Sequence, residues 1–149
     1  MSTPKINHDE VTGLRDRLER LVTRLEARVL RALREGADSL AQQVRENLRD
    51  DGRSGRVTIT PQGLHQASAP GEVPAPLTGK LSQSIAVEPG GQVDELRVTA
   101  DTDYAAALEF GTQQNAPRPF LAPALEEARE DIKMRVKKAA RKASPGTGV

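Results

Sequence analysis

Apolar residues recur at steps of three and four from Val11 to Leu48: Val11, Leu14, Leu18, Leu21, Leu25, Val29, Leu33, Ala37, Leu40, Val44 and Leu48. That spacing lays one continuous stripe along an amphipathic helix, and no proline interrupts it between Asp9 and Leu48. Asn7 or Asp9 is a candidate N-cap. A helix over residues 9–48 reaches about 60 Å at about 1.5 Å per residue. A compact chain of this length has a radius of gyration of only about 15 Å. The helix therefore either breaks, most naturally at Gly36, or projects beyond its own domain with an apolar stripe that needs a partner.

The pattern then changes period. Arg56 to Thr60 alternates and is β-branched, which predicts a short strand. Residues 61–76 contain Pro61, Gly63, Pro70, Gly71, Pro74 and Pro76 and have no apolar period, which predicts a long flexible loop. Thr78 is placed to cap a single helical turn within Thr78–Ile85. Ser84–Glu88 and Val93–Thr99 read as a hairpin around Pro89-Gly-Gly-Gln92; Val93 and Leu96 break strict alternation, so the second strand either begins at Glu95 or carries a bulge. Asp103 is a candidate N-cap for a short helix from Tyr104 to Phe110, stopped by Gly111. A last helix from Phe120 to Lys142 has its acids early and its bases late, as the helix dipole favours, and residues 143–149 read as a frayed tail. The order predicts one α+β domain over residues 1–149. Its long N-terminal helix and C-terminal helix (within residues 77–142) pack on a small antiparallel β-sheet.

Composition narrows the function. Of 149 residues, 36% are hydrophobic and 29% charged, so the core should be thin and aliphatic and association should help stabilise it. The formal net charge of +1 gives no strong overall field for nucleic acid or membrane. There is no cysteine, hence no disulfide framework. The first residues lack the apolar segment of a leader, and no run approaches the roughly 20 apolar residues of a membrane span; a soluble protein made in the cytoplasm is expected.

His8 and His65 stand outside any motif, and no nucleophile–base pairing or phosphate-binding loop is visible. No catalysis and no cofactor are therefore expected. Asp101, Asp103 and Glu109 are candidate ligands for a hard cation, but they do not make a full ligand set, so no metal is expected. Arg17, Arg20, Arg24, Arg28 and Arg31 form a second stripe on the first helix. It either faces phosphates, as in a nucleic-acid-binding module, or is a solvated face whose aliphatic stems cover the edge of the apolar stripe. Nearby Asp16, Glu19, Glu26 and Glu35 dilute its field, which favours the second reading.

The chain's aromatic residues, Tyr104, Phe110 and Phe120, fall in one stretch. Tyr104, Ala107 and Leu108 share a helical face. Gly111 permits a left-handed exit, and Pro117 and Pro119 hold Arg118 extended. A guanidinium so fixed suits a carboxylate, either Glu109 or an acid on a neighbouring subunit. The stretch either locks the last helix onto the sheet or faces a neighbour, and the two roles are compatible.

Tyr104-Ala, Glu109-Phe-Gly-Thr112, Arg118-Pro-Phe-Leu121 and Pro123-Ala124, together with the upstream Thr78-Gly-Lys-Leu-Ser-Gln-Ser-Ile85, resemble in order and spacing the signature of a tailed-bacteriophage tail-component family, the neck or tail-completion proteins of long-tailed phages. Pro117 stands where that family usually has Ala. The resemblance implies a non-enzymatic virion protein at the head–tail junction, acting in tail completion or as a tail terminator. It also implies a ring, expected to be hexameric, that contacts the head-closure or connector protein and the tail tube, with at most passing contact with DNA. Thr78, Gly79, Leu81, Tyr104, Glu109, Phe110, Gly111, Thr112, Arg118, Pro119 and Phe120 would then serve packing and subunit contacts. The loop 61–76 has no counterpart in that signature.

Overall fold

A computed structural model describes residues 8–50, 52–61 and 63–143; the candidate cap Asn7 and the tail from Ser144 lie outside them. The apolar stripe folds as one helix, α1 (His8–Arg49), which runs through Gly36 without a break. Asp9 lies in its first turn rather than capping it. Gly36 is instead where the C-terminal helix α4 (Ala122–Ala143) comes closest: a Cβ there would lie 3.0 Å from Ile132 Cγ1. The two helices are antiparallel. Gln43 Nε2 donates to Glu127 Oε2 at 2.9 Å, and at the far end of α4 Arg28 donates to the Lys142 carbonyl.

Two separate two-stranded antiparallel hairpins replace the single predicted sheet. The first joins β1 (Val57–Thr60) to β2 (Gly63–Gln66), with Ile59 opposite Leu64. The predicted loop from Pro61 thus begins with a strand. A four-residue strand bounded by proline and glycine offers too few positions for its alternation to be read. The second hairpin joins β3 (Ile85–Pro89) to β4 (Leu96–Ala100). Its second strand begins past Val93, which is exposed in the turn, and the Gly90 and Gly91 amides donate to the Glu95 carbonyl and carboxylate.

Between the hairpins lies α2 (Lys80–Gln83), preceded by Gly79 in the left-handed region; the Thr78 hydroxyl accepts from the Lys80 amide at a long 3.4 Å. Helix α3 (Ala105–Phe110) follows β4. Tyr104 stands at its cap position without a side-chain bond, so Asp103 does not cap it.

The core is thin and aliphatic, as the composition implies. Leu40, Ala41, Val44 and Leu48 of α1 meet Leu81, Ile85, Ala105, Phe120 and Ala124. Phe120, 1% exposed, is its one aromatic residue among those described. Arg45 of α1 donates to the Ile85 carbonyl at 2.6 Å and pins β3 to the helix. From Arg28 toward its N-terminus, α1 runs past the end of α4, and every residue from His8 to Arg20 is exposed. Of the two outcomes open for the long helix, it projects.

Candidate assembly surface

Helix α3 divides the sequence-predicted site residues between two hollows. Tyr104 and Leu108 face a hollow of about 510 Å³ that also takes in Thr78, Gly79, Leu81 and Arg118, with Leu48 and His65 on its wall. The two elements that are distant in sequence, Thr78–Ile85 and the aromatic stretch, are therefore neighbours in space. On the other side of α3, Ala106, Glu109 and Phe110 face a larger and more apolar groove of about 610 Å³, closed by Leu33 and Leu40 of α1, Leu96 and Val98 of β4, and Phe120, Leu125 and Ile132.

Glu109 is the most constrained side chain of the set. It is buried, and its carboxylate accepts three backbone amides at the start of α4: Phe120 at 2.8 Å and Leu121 at 3.0 Å on Oε2, and Ala122 at 2.9 Å on Oε1. The first amides of a helix have no partner within it, and the helix dipole favours an anion there. The next residue, Pro123, has no amide to satisfy. Glu109 therefore fixes where α4 begins and how it leaves the loop. This role could not be seen along the chain, because the acceptor lies eleven to thirteen residues before its donors.

Of the two carboxylate partners open for Arg118, Glu109 is engaged at α4 and does not pair with it. Arg118 turns the other way: its amide donates to the Leu108 carbonyl at 2.7 Å and its Nε to the Ser68 carbonyl at 3.2 Å. The Gly71 amide donates to the Pro117 carbonyl at 3.1 Å, so the 112–119 loop is stitched both to α3 and to the segment after β2. Thr112 shapes that loop, its Oγ1 accepting from the Gln114 and Asn115 amides. Gly111 opens it at φ 75°, ψ 179°. That region is essentially closed to other residues, and a Cβ would also stand 2.9 Å from the Asn115 carbonyl oxygen and from Pro117 N. Pro119 is half-buried between Arg118 and Phe120.

The three aromatic residues separate by role. Phe120 is core, Tyr104 is 41% exposed at the rim of the first hollow, and Phe110 is 80% exposed beside the second. A large apolar side chain that exposed, next to an apolar groove, is the kind of surface that marks a contact site. The sequence signal also missed a second such surface. Val57, Ile59 and Leu64 lie on one face of the β1–β2 hairpin and are all exposed, Ile59 at 87%. Only Val57 and Ile59 alternate along the chain; the register brings Leu64 beside them.

The other candidates stay dispersed. Arg17, Arg20, Arg24, Arg28 and Arg31 are exposed along α1. Asp101 and Asp103 are exposed while Glu109 is buried, and among the described residues no three His, Asp or Glu side chains are grouped to hold a metal ion. Among those residues, too, no helix is long and apolar enough to cross a membrane.

A family model described as "Bacteriophage HK97-gp10, putative tail-component" matches residues 13–111. The match runs from α1 through α3 and ends at Gly111, so the loop carrying Arg118 and the whole of α4 lie beyond it. No curated protein and no solved structure matches significantly.

Proposed function

The chain belongs to the HK97-gp10-like family of bacteriophage tail components, and from that premise we propose that it is a non-enzymatic structural protein of the virion that forms a ring at the head–tail junction and completes or terminates the tail. The observation that carries the reading is the unfinished surface of the protomer. One part of α1 projects with an uncovered apolar stripe, a two-stranded hairpin exposes Ile59 and Leu64, and Phe110 stands open beside an apolar groove. Isolated two-stranded hairpins are marginal in water, and monomers rarely leave apolar surface of this kind open. Different surfaces of one chain that meet head to tail close into rings when the rotation allows.

In this reading Tyr104, Phe110 and the hollow around Thr78, Gly79, Leu81 and Arg118 face neighbouring subunits, the connector side or the tube side. Glu109, Gly111, Thr112, Pro119 and Phe120 set the frame that presents them. Electron microscopy of the purified full chain and of intact particles tests it. Closed rings that match density at the neck are expected. A protein that stays monomeric at about 100 µM, well above the range of a specific interface, and that is absent from the neck would refute the ring.

A further inference from the structure

Arg118 leaves its guanidinium half engaged. Its Nε donates to the Ser68 carbonyl at 3.2 Å, which holds the group in place, and no hydrogen bond or ion pair among the described residues takes its Nη atoms. Glu109, its candidate partner within the chain, is taken up by α4. The hollow that Arg118 lines also takes in Lys80 and His65, and no Asp or Glu is on its wall. Lys80 makes no ion pair among the described residues. Much of the remaining wall is aliphatic, with Leu48, Pro74, Leu81 and Leu108. At about 510 Å³ the hollow lies within the roughly 300–1,000 Å³ of clefts that take a ligand. Unpaired cations over an apolar wall call for an anion carried on an apolar body. A carboxylate side chain beside an aliphatic one has that chemistry. A run of nucleic-acid phosphates has the charge without the aliphatic partner.

The turn of the second hairpin carries that pair of side chains. The Glu95 amide donates to the Gln92 carbonyl at 3.2 Å and the Gly90 amide to the Glu95 carbonyl at 2.8 Å. Val93 and Asp94 are therefore the two corners of a β-turn at the tip of the β3–β4 hairpin. Val93 is 92% exposed, the most of any large apolar residue among those described. Glu95 is engaged within the turn, its carboxylate accepting from Gly91 and Arg97. Asp94 is exposed and has no ion pair among the described residues. Other exposed acids that adjoin an exposed apolar residue fit less well. Glu19 and Glu126 pair along their own helices, Asp103 adjoins Tyr104 of the hollow itself, and Glu10 lies on the flank of a helix about 10 Å across. No residue of β3, β4 or their turn lines the hollow of its own protomer. From Ile85, just past α2, β3 carries the tip about 15 Å away. A turn that fills the hollow comes from another copy.

We propose that the hollow between α2 and α3 is a socket for the β3–β4 turn of the next copy of this chain, with Asp94 bound by Arg118 and Lys80 and with Val93 seated on the aliphatic wall. The proposal rests on the assembly reading in taking the partner to be a second copy, and it names the contact. Turn and socket are different surfaces of one chain, so the contact is head to tail, the kind that repeats around a ring. A carboxylate held by a fixed guanidinium ties that contact to one register.

The test uses the full chain, which has no cysteine of its own. Leu77 lines the hollow and is exposed. Chains carrying Leu77→Cys, mixed with chains carrying Val93→Cys, should give mixed disulfide dimers under mild oxidation, and neither chain alone should. Asp94→Lys should weaken self-association by about tenfold or more in sedimentation, and adding Lys80→Glu should recover most of it. Both side chains are exposed in the protomer, so its circular dichroism should not change. Rings that form normally with Asp94→Lys, with no mixed disulfide, would overturn the socket contact and leave the ring standing. A loss of association that Lys80→Glu does not recover would also overturn the pairing, and retardation of a DNA duplex that Lys80→Glu abolishes would give the hollow to a phosphate instead. Mixed disulfide dimers from a chain that forms no rings would uphold the socket and refute the ring. A wild-type chain that is monomeric at about 100 µM would refute both.

Discussion

Replacing Glu109 by Ala removes the acceptor for three helix-start amides at once. Its three bonds measure 2.8, 3.0 and 2.9 Å, and the Phe120 amide belongs to a core residue that is 1% exposed. Hydrogen bonds to a charged group contribute about 1.5–3 kcal/mol each. The three share one carboxylate, and water can reach part of the half-buried Leu121, so they do not add in full. A loss of about 3–5 kcal/mol is expected, a large part of the roughly 5–15 kcal/mol that holds a domain. At about 2–4 °C per kcal/mol for a chain of this size, the melting temperature should fall by about 6–20 °C. Glu109→Gln keeps one oxygen for Phe120 and Leu121 but turns an amide donor toward the Ala122 amide, so about half that loss is expected. Thermal and urea unfolding followed by circular dichroism measure both, at one fixed protein concentration because association raises apparent stability. If Glu109→Ala lies within about 0.5 kcal/mol of the parent, the range of an ordinary surface change, the carboxylate does not organise the start of α4.

Three further changes separate framework from contact surface. Gly111→Ala forces a side chain into a conformation that costs about 1–3 kcal/mol and against the Asn115 carbonyl; a melting temperature at least about 4 °C lower is expected, and no change would mean that the loop relaxes freely. Arg118→Ala removes the bond to the Ser68 carbonyl, costing the protomer about 1–2 kcal/mol. Ring formation seen by microscopy should suffer more than folding, and rings that form normally from a destabilised protomer would make Arg118 an internal lock only. Glu72 is held below its usual carboxylate range first by the Ser54 hydroxyl, then by the Ala69 and Ser54 amides. Its contribution is therefore present above the ordinary carboxylate pKa and lost as pH falls through the lowered folded value; the protection of the Ser54 and Ala69 amides against exchange, relative to a free amide at the same pH, should fall on acidification below about pH 4, and Glu72→Gln should show reduced protection already at neutral pH.

Much of the fold was legible because its signals are local. The stripe from Val11 to Leu48 carries α1 to within a residue of its observed end, and the Pro89–Gln92 turn carries the second hairpin. What was not legible depends on residues distant along the chain. Whether Gly36 breaks α1 or admits α4 turns on Ile132, almost a hundred residues away. A pattern along one helix cannot contain that fact. The same holds for Glu109, which was one of two carboxylate partners open for Arg118 but whose donors are backbone amides, which have no sequence identity to read. The strand β2 was hidden among prolines and glycines, and its one apolar residue, Leu64, becomes meaningful only opposite Ile59.

Magnitudes decide what kind of assembly this protomer can build. Fully burying an aliphatic side chain contributes about 1.5–3 kcal/mol, so Val11, Leu14, Leu18 and Val22, each about half exposed on the projecting part of α1, offer about 3–6 kcal/mol per chain where a partner covers them. Association itself costs about 4–15 kcal/mol. A contact through the projecting part of α1 alone is therefore near balance. Ile59 and Leu64 on the hairpin and Phe110 at the groove are more fully exposed than any of those four, so their burial adds comparable energy from separate sets of residues. An assembly that engages only one set should be weak, and one that engages all of them in the same closed structure should be stable. A ring provides that condition, since each subunit gives one set and receives another at every junction.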